Sequence, residues 1–164
     1  MVVLKDQNYV IEHPNREKAA SKTTKAVVVL LLLISAGLIA IITVGGWDVL
    51  AGAKAVSLAF VAIYVVMAFY VGRWNAGVLP VAAAVAIIVV IFAGVAVPGW
   101  FDRDKTGFSD PSLSAEMLGL LTVLVIPVQV LLIIATLQGV AQKWSVEVER
   151  YPDETPSGAS PAAA

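Results

Sequence analysis

Four long apolar segments dominate this chain and leave few folds open to it. Crossing the hydrocarbon core of a bilayer takes about 20 apolar residues in a helix. Segments of that length are Ala26–Val44, Ala55–Gly72, Gly77–Val97 and Ala115–Leu137, the last with Glu116 at its edge. We therefore predict an all-α membrane protein built as a four-transmembrane-helix bundle.

The rest of the composition agrees with a single small membrane domain. The 164 residues are 59% hydrophobic with a mean hydropathy of +0.87, which is more apolar than soluble domains are. We predict a polar cytoplasmic arm over residues 1–25, the transmembrane domain over 26–144 and a largely disordered cytoplasmic tail over 145–164. The first apolar segment exceeds the core of about 7–15 residues found in cleaved signal peptides, so we expect it to be retained.

The four tryptophans of the chain stand near the ends of the apolar segments. They are Trp47, Trp74, Trp100 and Trp144. Tryptophan is enriched where hydrocarbon meets water, because its ring is apolar and its N–H needs a polar partner. We predict that these residues are membrane-interface anchors, with their rings against lipid.

The basic residues are distributed unequally between the two sides of the predicted bundle. Eight lie on the side that holds both termini and three on the other. The larger group is Lys5, Arg16, Lys18, Lys22, Lys25, Arg73, Lys143 and Arg150, and the smaller is Lys54, Arg103 and Lys105. Lys and Arg near membrane spans are retained in the cytoplasm. This predicts cytoplasmic termini, with Gly45–Lys54 and Pro98–Ala115 outside.

Several kinds of chemistry are excluded by residues that the chain lacks. It has no cysteine, and its one histidine, His13, lies outside every span. Disulfides, thiolate nucleophiles and histidine-ligated haem in the membrane are therefore excluded. No Asp, Glu, Lys, Arg or His lies in the central part of a span, which argues against an ion-coupled pump and against an enzyme. We expect no cofactor, and the net charge of −1 suggests no nucleic-acid partner.

A glutamine next to a proline is the most informative polar feature within the spans. Gln129 follows Pro127 by two residues, and an amide in hydrocarbon requires a hydrogen-bond partner. We interpret the pair mainly as a packing device, in which the amide meets backbone groups freed by the proline. A solute path and a contact with another subunit are the alternatives. Polar residues that also lie within the spans include Ser35, Ser57, Tyr64, Tyr70 and Thr122.

An acidic stretch in the second outer connection partly matches a calcium-binding loop. The candidate ligands are Asp102, Asp104, Thr106, the carbonyl of Phe108, and Asp110. Their spacing fits positions 1, 3, 5, 7 and 9 of an EF-hand loop, but Leu113 replaces the glutamate expected at position 12. The favoured interpretation is structural, with Asp110 as the N-cap and Pro111 as the first residue of the fourth helix.

The segment after the fourth span changes from helical to strand periodicity. Ser145–Arg150 alternates apolar and polar residues. A single strand is unstable alone, so it would pair with Val2–Leu4, with Tyr9–Ile11 or with the sheet edge of a partner. A disordered linker is the remaining alternative.

The stretch from Trp100 to Glu149, under a third of the chain, resembles a group of small, uncharacterised bacterial membrane proteins. The residues concerned are Trp100–Phe108, the Leu118–Leu132 run containing Pro127 and Gln129, and Trp144–Glu149. They are similar to four-span membrane proteins of high-GC Gram-positive (actinobacterial) type. The resemblance implies a bacterial plasma membrane and brings no activity with it.

The function predicted from these features is that of a non-catalytic accessory or scaffold subunit in a larger membrane complex. Its partners would be the lipid bilayer and either another membrane protein or further copies of the same chain. One alternative is a small oligomeric transporter or channel for a neutral solute, lined by Tyr64, Gln129 or Tyr70. A further alternative is an extracytoplasmic calcium-responsive membrane protein acting through Asp102–Asp110.

Overall fold

Four long helices form the body of the molecule. In the computed structural model, residues 10–104 and 110–150 are described, with only the backbone at positions 104 and 150. The elements are β1 (Val10–Glu12), α1 (Pro14–Glu17), α2 (Ala19–Gly45), α3 (Ala53–Gly72), α4 (Val78–Phe101), a 3-10 turn (Asp102–Asp104), α5 (Ala115–Ala141) and β2 (Val148–Arg150). Helices α2 to α5 are each long and apolar enough to cross a membrane, so the predicted helical membrane bundle is confirmed.

The first and last membrane helices extend beyond their apolar segments into polar sequence. Helix α2 has 27 residues and begins at Ala19, so its first turns include Lys22 and Lys25. Helix α5 also has 27 residues, which at about 1.5 Å per residue gives a length near 40 Å. Both exceed the hydrocarbon thickness of about 30 Å, and their ends therefore project into the interface or beyond it.

The four helices pack in the order α3, α2, α5, α4. Helix α2 packs along α3, α4 packs along α5, and the two pairs meet where α2 packs against α5. Helices α3 and α4 are joined by a short connection but barely touch along their lengths. The bundle is consequently closed on three sides and open between α3 and α4.

Small side chains allow α4 to approach its neighbour closely. Ala82 and Ala86 are fully buried, and Ala93 continues the same face of α4. Helices in lipid gain stability from close packing, because lipid tails are as apolar as leucine and provide no hydrophobic drive for association. On α5, a Cβ added at Gly139 would lie 2.9 Å from Leu79 Cδ1, so this glycine belongs to the tight α4–α5 contact.

The turn between α3 and α4 holds a tryptophan in the left-handed backbone region. Trp74 has a φ of 64°. Its N–H donates to the carbonyl of Val71, and the N–H of Asn75 donates to that of Tyr70, which together form a Schellman motif. Glycine usually fills this position, since a left-handed residue with a side chain costs about 1–2 kcal/mol. Contacts of the Trp74 ring, described below, offset this cost.

A two-stranded antiparallel ribbon joins the N-terminal arm to the segment after α5. The register pairs Val10 with Arg150, Ile11 with Glu149 and Glu12 with Val148. Of the alternatives for the exit segment, the structure shows pairing with the N-terminal arm. The paired strand in the arm is Val10–Glu12, which is shifted by one residue from the expected Tyr9–Ile11. Only Val148–Arg150 of the exit segment is a strand, and the all-helical prediction omitted this small sheet.

We predict that Gly139→Leu lowers the free energy of unfolding by about 1–3 kcal/mol, because the new side chain collides with Leu79 and Trp144. The matched control is Gly94→Leu, where an added Cβ has nothing within 4 Å and faces lipid. The measurement is SDS-induced unfolding in mixed micelles. Equal effects of the two substitutions would contradict the close contact at Gly139.

Candidate functional site

Three polar side chains from three helices meet in the centre of the bundle. The hydroxyl of Tyr64 on α3 donates to Gln129 Oε1 on α5 over 2.7 Å. Gln129 Nε2 donates to Ser35 Oγ on α2 over 2.9 Å, and that hydroxyl donates to the carbonyl of Leu31 over 2.7 Å. All three side chains are fully buried. We call Ser35, Tyr64 and Gln129 the central polar triad.

The triad is well matched to an environment without water. An unpaired polar group in an apolar medium costs several kcal/mol, and each donor or acceptor must therefore find a partner inside the protein. Among the described residues, no buried side-chain nitrogen or oxygen lacks a hydrogen bond. The triad therefore ties α2, α3 and α5 together at one level and fixes their rotation.

The structure corrects the expected role of Gln129. The amide bonds to two side chains of other helices, Tyr64 and Ser35, in place of the expected backbone groups near Pro127. Pro127 itself lies on the exposed side of α5, which continues through it without interruption. Of the three residues proposed to line a solute path, Tyr64 and Gln129 come together, whereas Tyr70 is 45% exposed on the outside of α3.

A cavity of about 480 Å³ lies directly above the triad, towards the end of the bundle that holds Trp47 and Trp100. Its innermost lining includes Ile39, Phe60 and Val125, each four residues from a member of the triad. Four residues make one helical turn, so the triad lies one turn beneath the cavity. Ser57 and Thr122 also line it, and the Thr122 hydroxyl bonds to the carbonyl of Leu118 on its own helix.

The tryptophans divide into two groups by exposure. Trp47 is 43% exposed and Trp74 is half-buried. Trp100 is only 6% exposed and Trp144 is fully buried, so these two rings face protein, contrary to the lipid contact that we expected. A tryptophan at the end of an apolar segment can face either lipid or protein, and the sequence pattern does not distinguish these two positions.

The end of the bundle near the termini is held by a cluster around Trp144. Its ring packs edge-on against Trp74 with centroids 5.3 Å apart, and Lys25 Nζ lies 4.2 Å from the Trp74 ring centroid. Trp144 Nε1 donates to Gln142 Oε1 over 2.9 Å, and its carbonyl accepts from Arg16 Nε over 2.9 Å. Sequence reasoning missed this cluster, because its partners are distant in the chain.

The connection between α4 and α5 differs from its expected form at the start of α5. Helix α5 begins at Ala115, and its N-cap is Ser114, whose Oγ accepts from the N–H of Met117. Asp110 and Pro111 precede the helix, so the predicted Asp110 cap is wrong. The N–H of Leu113 instead donates to the carbonyl of Gly45 over 3.0 Å and ties the connection to α2.

The calcium site predicted in this connection lies largely outside the described residues. Thr106 and Phe108 lie outside the described residues, as does the side chain of Asp104. Asp102 begins the 3-10 turn after α4, and Asp110 is exposed. Calcium binding by this loop stays a prediction.

Comparison with known proteins provides no relative from which a role could be transferred. The chain matches no family model, no curated protein and no solved structure. The role of this chain is therefore inferred from the triad, the cavity and the two ends of the bundle.

We predict that Gln129→Leu and Tyr64→Phe each lower the free energy of unfolding by about 0.6–2 kcal/mol, the range for interhelical hydrogen bonds in membranes. Each change removes the bond between Tyr64 and Gln129, so the double variant should lose less than the sum of the two. Tyr70→Phe is the control, because Tyr70 is exposed. Additive losses, measured by SDS-induced unfolding, would show that the two residues are not coupled.

Proposed function

We propose that this chain is a non-catalytic accessory or scaffold subunit of a larger complex in a bacterial plasma membrane, with both termini in the cytoplasm. The observation that carries the proposal is the ribbon of β1 and β2. It stands beyond the membrane helices, is tied to them by specific contacts and exposes apolar side chains.

One face of the ribbon carries two exposed valines, and we call it the valine face. Val10 is 61% exposed and Val148 is 47% exposed. In the observed register, Val10 lies opposite Arg150, and Val148 lies opposite Glu12. These four positions are on the same face, because opposite residues of an antiparallel pair share a face. Val146, which is 38% exposed, precedes β2 and lies outside the ribbon.

This valine face is incomplete by itself. A two-stranded ribbon is marginally stable in water and needs further strands or a packed surface to cover its apolar side. Among the described residues, each strand pairs only with the other, which leaves one edge of each strand open. A strand or surface of a partner protein could cover the apolar side of the ribbon and pair with an open strand edge, as in β-augmentation.

The ribbon is connected firmly to the membrane helices. Asn15 Nδ2 donates to the carbonyl of Lys143 over 3.1 Å, next to the bond from Arg16 to the carbonyl of Trp144. Gln142 Nε2 donates to Thr24 Oγ1 over 2.8 Å. These contacts link the helical N-terminal arm to the end of α5. A partner bound to the ribbon would therefore be held in a defined position relative to the bundle.

The interior of the bundle favours this role over solute transport. A path through the centre would have to pass the triad, whose polar atoms are already engaged with one another. Opening such a path would break hydrogen bonds in hydrocarbon, where broken bonds are costly. Transport of a neutral solute by an oligomer is the second candidate. The resemblance to small actinobacterial membrane proteins supports the plasma membrane as the location.

The orientation can be tested with single cysteines, because the chain contains none of its own. We expect Asp110→Cys to react with a membrane-impermeant maleimide in intact cells. Ser145→Cys should react only after lysis, although both positions are exposed on the protein. The excess of Lys and Arg on the side of the termini is the reason for this expectation. The reverse labelling pattern would overturn the proposed orientation.

The scaffold role can be tested by affinity purification of the C-terminally tagged protein from native membranes in mild detergent. We expect a stoichiometric partner with the wild type. Val148→Lys should reduce its recovery by roughly tenfold, because a charge on the valine face opposes burial. Ile11→Lys is the matched control, since Ile11 is 51% exposed but lies on the opposite face of the ribbon.

Two other results would decide against the scaffold role as proposed. Equal losses in both lysine variants would show that the valine face is not the contact surface. Purification without any partner, as a defined homo-oligomer, would favour the transport candidate and make Gln129 the next residue to substitute.

A further inference from the structure

We propose that the cavity between α3 and α4 binds the ring of a neutral, lipid-soluble carbonyl compound of quinone type, and that a carbonyl oxygen of this ligand accepts a hydrogen bond from Ser57. This is a binding site to which no reaction is assigned, and it is independent of the scaffold role of the ribbon. Two unused hydrogen-bond donors, the aromatic wall and the opening of the cavity support the assignment.

The hydroxyl of Ser57 is an unused donor in the wall of the cavity. Thr43 and Thr122 also line the cavity, but their hydroxyls donate to the carbonyls of Ile39 and Leu118, over 2.6 and 2.7 Å. Among the described residues, the hydroxyl of Ser57 has no hydrogen-bond partner. A hydroxyl in an apolar medium is costly without a partner, so an occupant that accepts this hydrogen bond would be favoured.

Trp100 supplies a second unused donor at the same end of the bundle. Its side chain lines the cavity and is only 6% exposed, yet its indole N–H has no acceptor among the described residues. Buried tryptophan N–H groups usually have a partner. A carbonyl oxygen is an acceptor for either donor, whereas a hydrocarbon chain offers none.

Aromatic rings form part of the cavity wall. Phe60, Phe92 and Trp100 all belong to the lining, and the rings of Phe60 and Phe92 meet edge-on with centroids 5.9 Å apart. A flat conjugated ring gains from edge and face contacts with such side chains. The volume of about 480 Å³ is within the range of roughly 300–1,000 Å³ that is usual for ligand sites, which are mostly apolar with a few polar groups.

The charges around the cavity favour a neutral ligand. Among the described residues, Arg103 is the one charged residue in the lining, and it is already engaged in interactions of its own. A charged ligand would therefore enter an apolar space without a free counter-charge, which is costly. A quinone is neutral, and its carbonyl oxygens are acceptors only.

The cavity opens sideways, towards the lipid. Along α4, the lining residues Phe92, Ala96 and Gly99 are also exposed on the surface of the molecule. Helices α3 and α4 have few contacts with each other, so this side of the cavity is open. A lipid-soluble ring can therefore enter from the bilayer, while a long apolar tail attached to it stays among the lipid tails.

The test is native mass spectrometry of the full-length protein in detergent with two probes. They are decylubiquinone, a quinone, and decylbenzene, which has the same tail on a ring without carbonyl groups. We expect a single decylubiquinone to bind, and to bind more tightly than decylbenzene. Ser57→Ala should weaken the binding of decylubiquinone by roughly tenfold and leave that of decylbenzene unchanged. Ala96→Phe, which fills the cavity, should weaken the binding of both probes by roughly tenfold.

Two matched controls separate the cavity from the general surface. Val95→Phe places the same ring as Ala96→Phe on the adjacent residue, which is 76% exposed and does not line the cavity. Tyr70→Phe removes a hydroxyl from the same helix as Ser57, at a residue that is 45% exposed and lies outside the lining. We expect both controls to bind the two probes as the wild type does.

Four outcomes would overturn the proposal. The first is equal affinity of the wild type for the two probes, and the second is unchanged affinity of Ser57→Ala for decylubiquinone. The third is an equal loss of binding in Ala96→Phe and Val95→Phe. The fourth is a phospholipid or a second copy of the chain that decylubiquinone does not displace, which would show that another molecule fills the cavity. None of these results depends on whether a protein partner binds the ribbon.

Discussion

The structure depends on the requirement that every polar group within the hydrocarbon find its partner inside the protein. The triad of Ser35, Tyr64 and Gln129 meets this requirement and thereby sets the mutual rotation of α2, α3 and α5. Helix α4 takes no part in the triad and is held by close packing of small residues against α5. Helices α3 and α4 have few contacts with each other, and the cavity lies between them.

The two ends of the bundle are built differently as a result. At the end near the termini, aromatic rings, a lysine and several side-chain-to-backbone hydrogen bonds close the space between helices. There the left-handed backbone of Trp74 brings its ring against Trp144 and Lys25. At the other end, α3 and α4 leave an apolar space that opens to lipid. The bundle is therefore closed at the end near the termini and open to lipid towards the other end.

The membrane helices could be predicted from the sequence, whereas the contacts among them could not. An apolar segment of sufficient length determines a span by itself, and all four were found. The need of Gln129 for a partner was also evident, but its partners lie on other helices at distances of 65 and 94 residues in the chain. Sequence patterns over a few residues do not show which faces of the helices contact one another. The burial of Trp100 and Trp144 escaped prediction for the same reason, and Ser114 was missed as a cap because Asp110–Pro111 is an equally good local signal.

The pairing of β1 with β2 has a consequence for the order of events during synthesis. Strand β1 leaves the ribosome before helices α2 to α5, but its partner follows them, and Arg16 bonds to a carbonyl 128 residues later in the chain. Both strands lie on the same side of the membrane when an even number of these helices has crossed it, as in the complete bundle. The ribbon is therefore a late product of biogenesis, and a chain that has inserted an odd number of helices has no means of making it. Any protein that recognises the ribbon distinguishes complete molecules from those in which a single helix has failed to insert.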